Sequence, residues 1–146
     1  MKRYWYKFRV KYGKELGTGK KKKVSEEYLV DAESFTETEK RASKAATELI
    51  GTRDFDISAI SREPITELLR DDENEENHWY KAIVALFSED EESGTRKSSP
   101  QIMYVNASDI NNAVNILTDR MADSNIDWAI KSIAETKVLG VLNYKA

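Results

Sequence analysis

The chain of 146 residues contains no cysteine and a single histidine, His78. Absence of cysteine excludes disulfides, thiolate chemistry and cysteine-ligated zinc, and one histidine excludes a multi-histidine metal centre. No apolar run approaches the roughly 20 residues that a bilayer-spanning helix needs, so no membrane partner is expected. The start, Met1-Lys2-Arg3-Tyr4-Trp5, leads into alternation and lacks a signal peptide's apolar stretch. Cytoplasm is the expected location. With 40% hydrophobic and 34% charged residues the chain has the composition of a folded domain.

What is present is a sequence written twice. Trp5, Tyr6, Lys7 and Val10 return as Trp79, Tyr80, Lys81 and Val84, and Tyr28-Leu29-Val30-Asp31-Ala32 returns as Met103-Tyr104-Val105-Asn106-Ala107. A helical segment follows each. The last block pairs Asp54-Phe55, Ile57, Ile60, Ile65, Leu68 and Leu69 with Asp127-Trp128, Ile130, Ile133, Val138, Val141 and Leu142.

Tyr6, Phe8, Val10 and Tyr12 alternate with Trp5, Lys7, Arg9 and Lys11, the pattern of a half-buried strand. Tyr28, Val30 and Ala32 mark a return strand. Between them Gly13 to Lys23 reads as a polar loop, as does Ser88 to Gln101 in the second copy, so each copy opens as a hairpin with a long tip. Both loops contain Gly-Thr-x-Lys, at Gly17 and at Gly94. Ser34 to Glu37 has capping-box spacing, with Asp109 as the equivalent cap. Phe35, Ala42, Ala46 and Leu49, and in the second copy Ile110, Val114, Leu117 and Met121, give each helix an apolar stripe. The three-residue steps Ile57 to Ile60 and Ile130 to Ile133 predict a strand that is bulged or broken in two.

The expected fold is therefore α+β, a tandem duplication of a strand-strand-helix-strand unit. Two helices would cover antiparallel sheet, with pseudo-two-fold symmetry. Residues 1–70 form the first repeat, 71–78 an acidic linker and 79–146 the second repeat. A half of that length buries too little surface alone, so one shared core is expected. The net charge of −3 hides an asymmetry: residues 1–70 carry 16 Lys/Arg against 12 Asp/Glu, whereas 71–146 carry 7 against 14. Divergence of this kind suits a first copy that keeps an anionic partner.

No catalytic constellation stands out. His78 sits at a linker edge, the paired carboxylates lie in charged surroundings, and Gly17-x-Gly19-Lys20 lacks the strand-to-helix setting of a phosphate loop. The chain is read as a non-enzyme without cofactor. The candidate ligand site is Lys20, Lys21, Lys22 and Lys23 together with Lys7, Arg9 and Lys11, because lysines neutralise phosphates while Trp5 beside them offers a stacking platform. The competing view makes Trp5 a structural cover and the lysines a guard on a sheet edge. A second candidate surface is the apolar outer face of the second copy, Trp79, Ile83, Ala85 and Phe87, which would serve a homodimer or another protein.

At Trp5-Tyr6-Lys7, at Tyr28-Leu29-Val30-Asp31-Ala32-Glu33-Ser34-Phe35-Thr36-Glu37 and at Ser132-Ile133-Ala134-Glu135-Thr136, the chain resembles a domain-of-unknown-function family of Bacteroidetes genomes and crAss-like bacteriophages. The resemblance covers nearly the whole chain and brings no activity or functional residue with it. It implies a phage or mobile-element setting, hence a host cytoplasm, and favours binding over catalysis. Single-stranded DNA or RNA is the expected ligand; a small nucleotide signal is the alternative, and a dimeric protein-binding module the second alternative.

Overall fold

In the computed structural model, residues 3–51, 54–70 and 77–142 are described. The elements run β1 (Tyr4–Glu15), β2 (Lys21–Ala32), α1 (Phe35–Ile50), β3 (Phe55–Glu63), β4 (Ile65–Leu69), β5 (His78–Glu89), β6 (Arg96–Ala107), α2 (Ile110–Met121), β7 (Asp127–Glu135) and β8 (Val138–Leu142). They build two four-stranded sheets, ordered β3-β1-β2-β8 and β4-β6-β5-β7. The fold is α+β and its two units repeat one design.

Each copy holds one strand more than the expected strand-strand-helix-strand unit, and that strand crosses over. β4 leaves the first copy to pair in parallel with β6, and β8 leaves the second to pair in parallel with β2. The compact units are consequently residues 1–64 with 137–146, and residues 65–136. Six residues of the acidic linker, 71–76, lie outside the described residues. Asn77 donates to Asn106, and His78 already opens β5.

Both hairpins are strand almost to their tips, contrary to the long loops expected from composition. β1 and β2 pair continuously from Tyr4↔Ala32 to Glu15↔Lys21, and β5 and β6 from His78↔Ala107 to Glu89↔Arg96. Charged side chains on a projecting ribbon are solvated on either face, so the strand continues where the apolar alternation has ceased. The first turn is closed by bonds from Leu16 N to Lys20 O and Gly19 N to Leu16 O, with Gly19 at φ 81°. Gly94, at φ 67°, closes the second turn. The left-handed position needs glycine in both turns, so Gly19 is the counterpart of Gly94. Matching the two Gly-Thr-x-Lys strings misplaces the tip by two residues.

The predicted irregularity is a bulge. β3 slips against β1 between Lys7 and Arg9, around Ala59 at φ 51°, and β7 slips against β5 between Ile83 and Val84. The extra residue lets Ile57 and Ile60, and likewise Ile130 and Ile133, turn towards the helix-covered core.

Each sheet has its own helix-covered cluster. In the first unit Tyr6, Phe8, Val10, Val30 and Ala32 pack with Ala42 and Ala46. In the second, Tyr80, Ala82, Val84, Met103, Val105 and Ala107 pack with Ala113, Leu117 and Met121. The buried stripe is shorter than the apolar pattern suggested. Phe35 is 53% and Leu49 61% exposed, whereas Thr38 is fully buried and donates to the Ser34 carbonyl. Ser34 caps the Glu37 amide, and Glu37 reaches back to the Glu33 amide rather than to Ser34's own. Asp109 caps Asn112 in the same way.

Candidate functional site

Alternation along β1 puts Trp5, Lys7, Arg9 and Lys11 on the face turned away from α1, as the sequence pattern implies, but cross-strand register divides them. Lys7 Nζ lies 3.5 Å from Glu63 Oε1, and Arg9 Nη2 lies 3.0 Å from Glu27 Oε1. Those two cations are neutralised within the sheet. Trp5 is half-buried and separated from Lys11 by six residues of strand, about 20 Å at strand rise. It is not a neighbour of the lysine run.

The free charge collects at the hairpin end instead. Between Lys11 and Ser25 the chain has six lysines, at 11, 14 and 20 to 23, and one acid, Glu15. All six lysines are exposed. Among the described residues none of them has an ion-pair partner. Lys14 faces Lys22 directly across the ladder, an arrangement that costs stability because like charges oppose each other on one face. Lys21 and Lys23 share the other face with Lys11. The Lys21 stem lies over Gly13, 3.7 Å from where a β-carbon would stand.

The second hairpin supplies an internal comparison. Its matching rungs are Ser88↔Lys97 and Glu89↔Arg96, and both cations have acids within 3.6 Å: Arg96 reaches Asp127, and Lys97 reaches Asp90. The Asp90 carboxyl is held below its ordinary range, first by the Glu92 amide. Here both cations reach an acid; in the first hairpin Glu15, across from Lys21, is the one acid among the lysines, and Lys14 faces Lys22.

Beside the basic ribbon lies a groove of about 590 Å³, lined among others by Lys11, Lys21, Lys23, Tyr12, Phe55 and Asp56. Tyr12 and Phe55 were not among the residues singled out from the sequence, where both read as core. Their position on the β1–β3 rung, Tyr12↔Phe55, brings them to the rim. The Tyr12 hydroxyl is engaged by Glu26, which raises its pKa. Tyr28 is pushed up to about 12, chiefly by burial and then by the Glu26 charge.

The other candidate surface is largely covered. Trp79 and Ala85 are buried, at 6% and 4% exposure; Ile83 and Phe87 are half-buried. Arg96 lies 4.1 Å and Lys131 5.6 Å from the centre of the Phe87 ring. His78 is exposed, with Nδ1 3.3 Å from Glu135.

Among the described residues no group of three or more His, Asp or Glu could hold a metal ion, and no helix is long and apolar enough to cross a membrane. The family model described as Domain of unknown function (DUF4494) matches residues 4–144. No curated protein matches, and no solved structure matches.

Proposed function

Starting from a chain that belongs to the DUF4494 family over nearly its whole length, we propose that it is a non-catalytic nucleic-acid-binding protein whose contact surface is the β1–β2 hairpin. The observation that carries this reading is the pair Lys14↔Lys22, with Lys20, Lys21 and Lys23 around it and Glu15, across from Lys21, as the one acid among them. A ladder that places like charges opposite each other is relieved by an external polyanion. Lysine contacts to phosphates release condensed counterions, and that release is the driving force. The stacking role expected for Trp5 is not part of the proposal, since Trp5 stands at the far end of β1. Tyr12 and Phe55 are the aromatic rings near the lysines.

A phage or mobile-element origin and a cytoplasmic location belong to the same proposal, resting on the sequence resemblance. A second reading, capture of a small nucleotide, is favoured by the groove, whose volume lies in the range of small-molecule sites. Asp54 and Asp56 in its lining oppose an anion there, which ranks this reading second.

The test is fluorescence anisotropy of labelled oligonucleotides at 50 and 200 mM salt. Binding should weaken steeply as salt rises, and Lys20→Glu with Lys22→Glu should reduce it at least about tenfold. Oligonucleotide binding that ignores both salt and these substitutions would overturn the proposal. A dinucleotide that binds calorimetrically while oligonucleotides do not would favour the groove.

A further inference from the structure

The ribbon's projection and its two-sided charge say which form of nucleic acid it fits. β3 pairs with β1 only as far as Tyr12, and β8 pairs with β2 only from Glu27 onward. The rungs Gly13↔Lys23, Lys14↔Lys22 and Glu15↔Lys21 therefore have no third strand on either side among the described residues. Three rungs at about 3.4 Å each, capped by the turn at Gly17–Gly19, make an arm standing about 10 Å beyond the sheet.

Its cations are split between faces. Lys14 and Lys22 lie on the side of α1, Lys21 and Lys23 on the side away from it, and Lys20 at the turn. A single strand lying along one face would leave half of these charges unused. A duplex groove has a phosphate backbone on each wall, and the B-form major groove, about 12 Å wide and 8.5 Å deep, admits a two-stranded β-ribbon of this length. We infer that the Gly13–Lys23 arm inserts into the major groove of duplex DNA, Lys14 and Lys22 contacting one backbone and Lys21 and Lys23 the other.

This rests on the nucleic-acid reading above and narrows it. The tip offers Leu16, Thr18 and Lys20, and only Thr18 and Lys20 carry hydrogen-bonding side chains. Direct readout of base edges needs several such groups, so the arm selects duplex shape with little sequence preference. A-form RNA has a deep, narrow major groove that side chains cannot read and should be a poor ligand.

The experiment uses the full chain and four labelled probes of one sequence: duplex DNA, its single strand, duplex RNA, and duplex DNA with bulky groups on cytosine C5 that fill the major groove. The plain duplex should bind at least about tenfold tighter than the other three. Lys14→Glu/Lys22→Glu and Lys21→Glu/Lys23→Glu should each weaken it by about tenfold or more and flatten the salt dependence by close to two phosphate contacts. The corresponding Lys→Gln pairs should give the same order with smaller losses, and circular dichroism verifies that every variant is folded. Loss confined to one face, or a single strand bound as tightly as the duplex, overturns the insertion while leaving phosphate binding intact. If no probe binds, both proposals fall.

Discussion

Asp31 and Asn106 stand on the same rung of the two sheets, each directly across from a tryptophan, Trp5 and Trp79 respectively, yet one is a charged hub and the other half of an amide pair. Asp31 receives Arg3 Nε at 3.1 Å, its carbonyl takes Arg3 Nη2 at 2.9 Å, and Arg41 donates to the same carbonyl. Asn106 accepts from Asn77 at 3.1 Å. Asp31→Asn strips the hub of its charge while Arg3 and Arg41 remain. Hydrogen bonds to charged groups contribute roughly 1.5–3 kcal/mol each when well sheltered; because the pair is about one-quarter exposed, the loss should be nearer 1–2 kcal/mol after screening. Urea unfolding in low salt and in 0.5 M NaCl checks this. The penalty should shrink with salt for Asp31→Asn but hold steady for Asn106→Ala.

Core volume is divided in opposite ways in the two units. Phe8 occupies the strand position held by Ala82 in the other copy, and Ala42, eight residues after the Ser34 cap, corresponds to Leu117, eight after Asp109. All four are at most 1% exposed. Large strand with small helix, or small strand with large helix, fills the same space. Phe8→Ala should cost about 3–5 kcal/mol through the cavity it leaves, and Ala42→Leu about 1–3 kcal/mol through overpacking. The double substitution should fall short of their sum by at least about 1 kcal/mol. Simple additivity in a denaturation cycle would refute the idea that the two positions share one volume.

This reversal also shows what a sequence can and cannot display. Alternation at Tyr6, Phe8 and Val10, the caps at Ser34 and Asp109, and the three-residue steps in β3 and β7 were legible because each is a local consequence of burial or of an orphan amide. The strand character of Lys21 to Lys23 was hidden, since a ribbon solvated on both faces has no apolar period to betray it. Pairing of Lys7 with Glu63 and of Arg9 with Glu27 depends on register across strands far apart in the chain. The exchange of β4 and β8 was invisible for a related reason: chain order fixes which short strand comes next, not which sheet edge it joins. The separation of Trp5 from the lysine run follows from the first of these, because lysines held in a strand cannot fold back along β1.

β8 seals the edge of β2, and Val138 anchors it at 4% exposure opposite Glu27. Val138→Asp buries a carboxylate across from the carboxylate of Glu27 and should cost about 2–4 kcal/mol. Hydrogen exchange locates the damage: amides of Leu29 and Val30, which flank β8, should lose more protection than that of Val105, whose neighbour is β4. Equal losses at both places would contradict the pairing of β8 with the first sheet.

The two ends of the pH scale test different groups. Glu37 is held below its ordinary 4.5, first by the Glu33 amide and further by Arg3 and Arg41, against an opposing effect of burial. A depressed carboxyl contributes stability that is complete above about 4.5 and disappears as pH falls through its lower folded value. Glu37→Gln should accordingly be less stable than the parent at pH 7 by about 0.5–1 kcal/mol, with the gap closing at pH 2. Tyr28 behaves oppositely: raised from 10.0 to about 12, its protonated form belongs to the fold, so the stability it contributes is whole below pH 10 and is lost as pH climbs through 12. Absorbance at 295 nm should show one tyrosine of the folded protein ionising near pH 12 that Tyr28→Phe lacks. If the step that Tyr28→Phe removes lies near pH 10 instead, burial and Glu26 do not act on this phenol as the geometry requires.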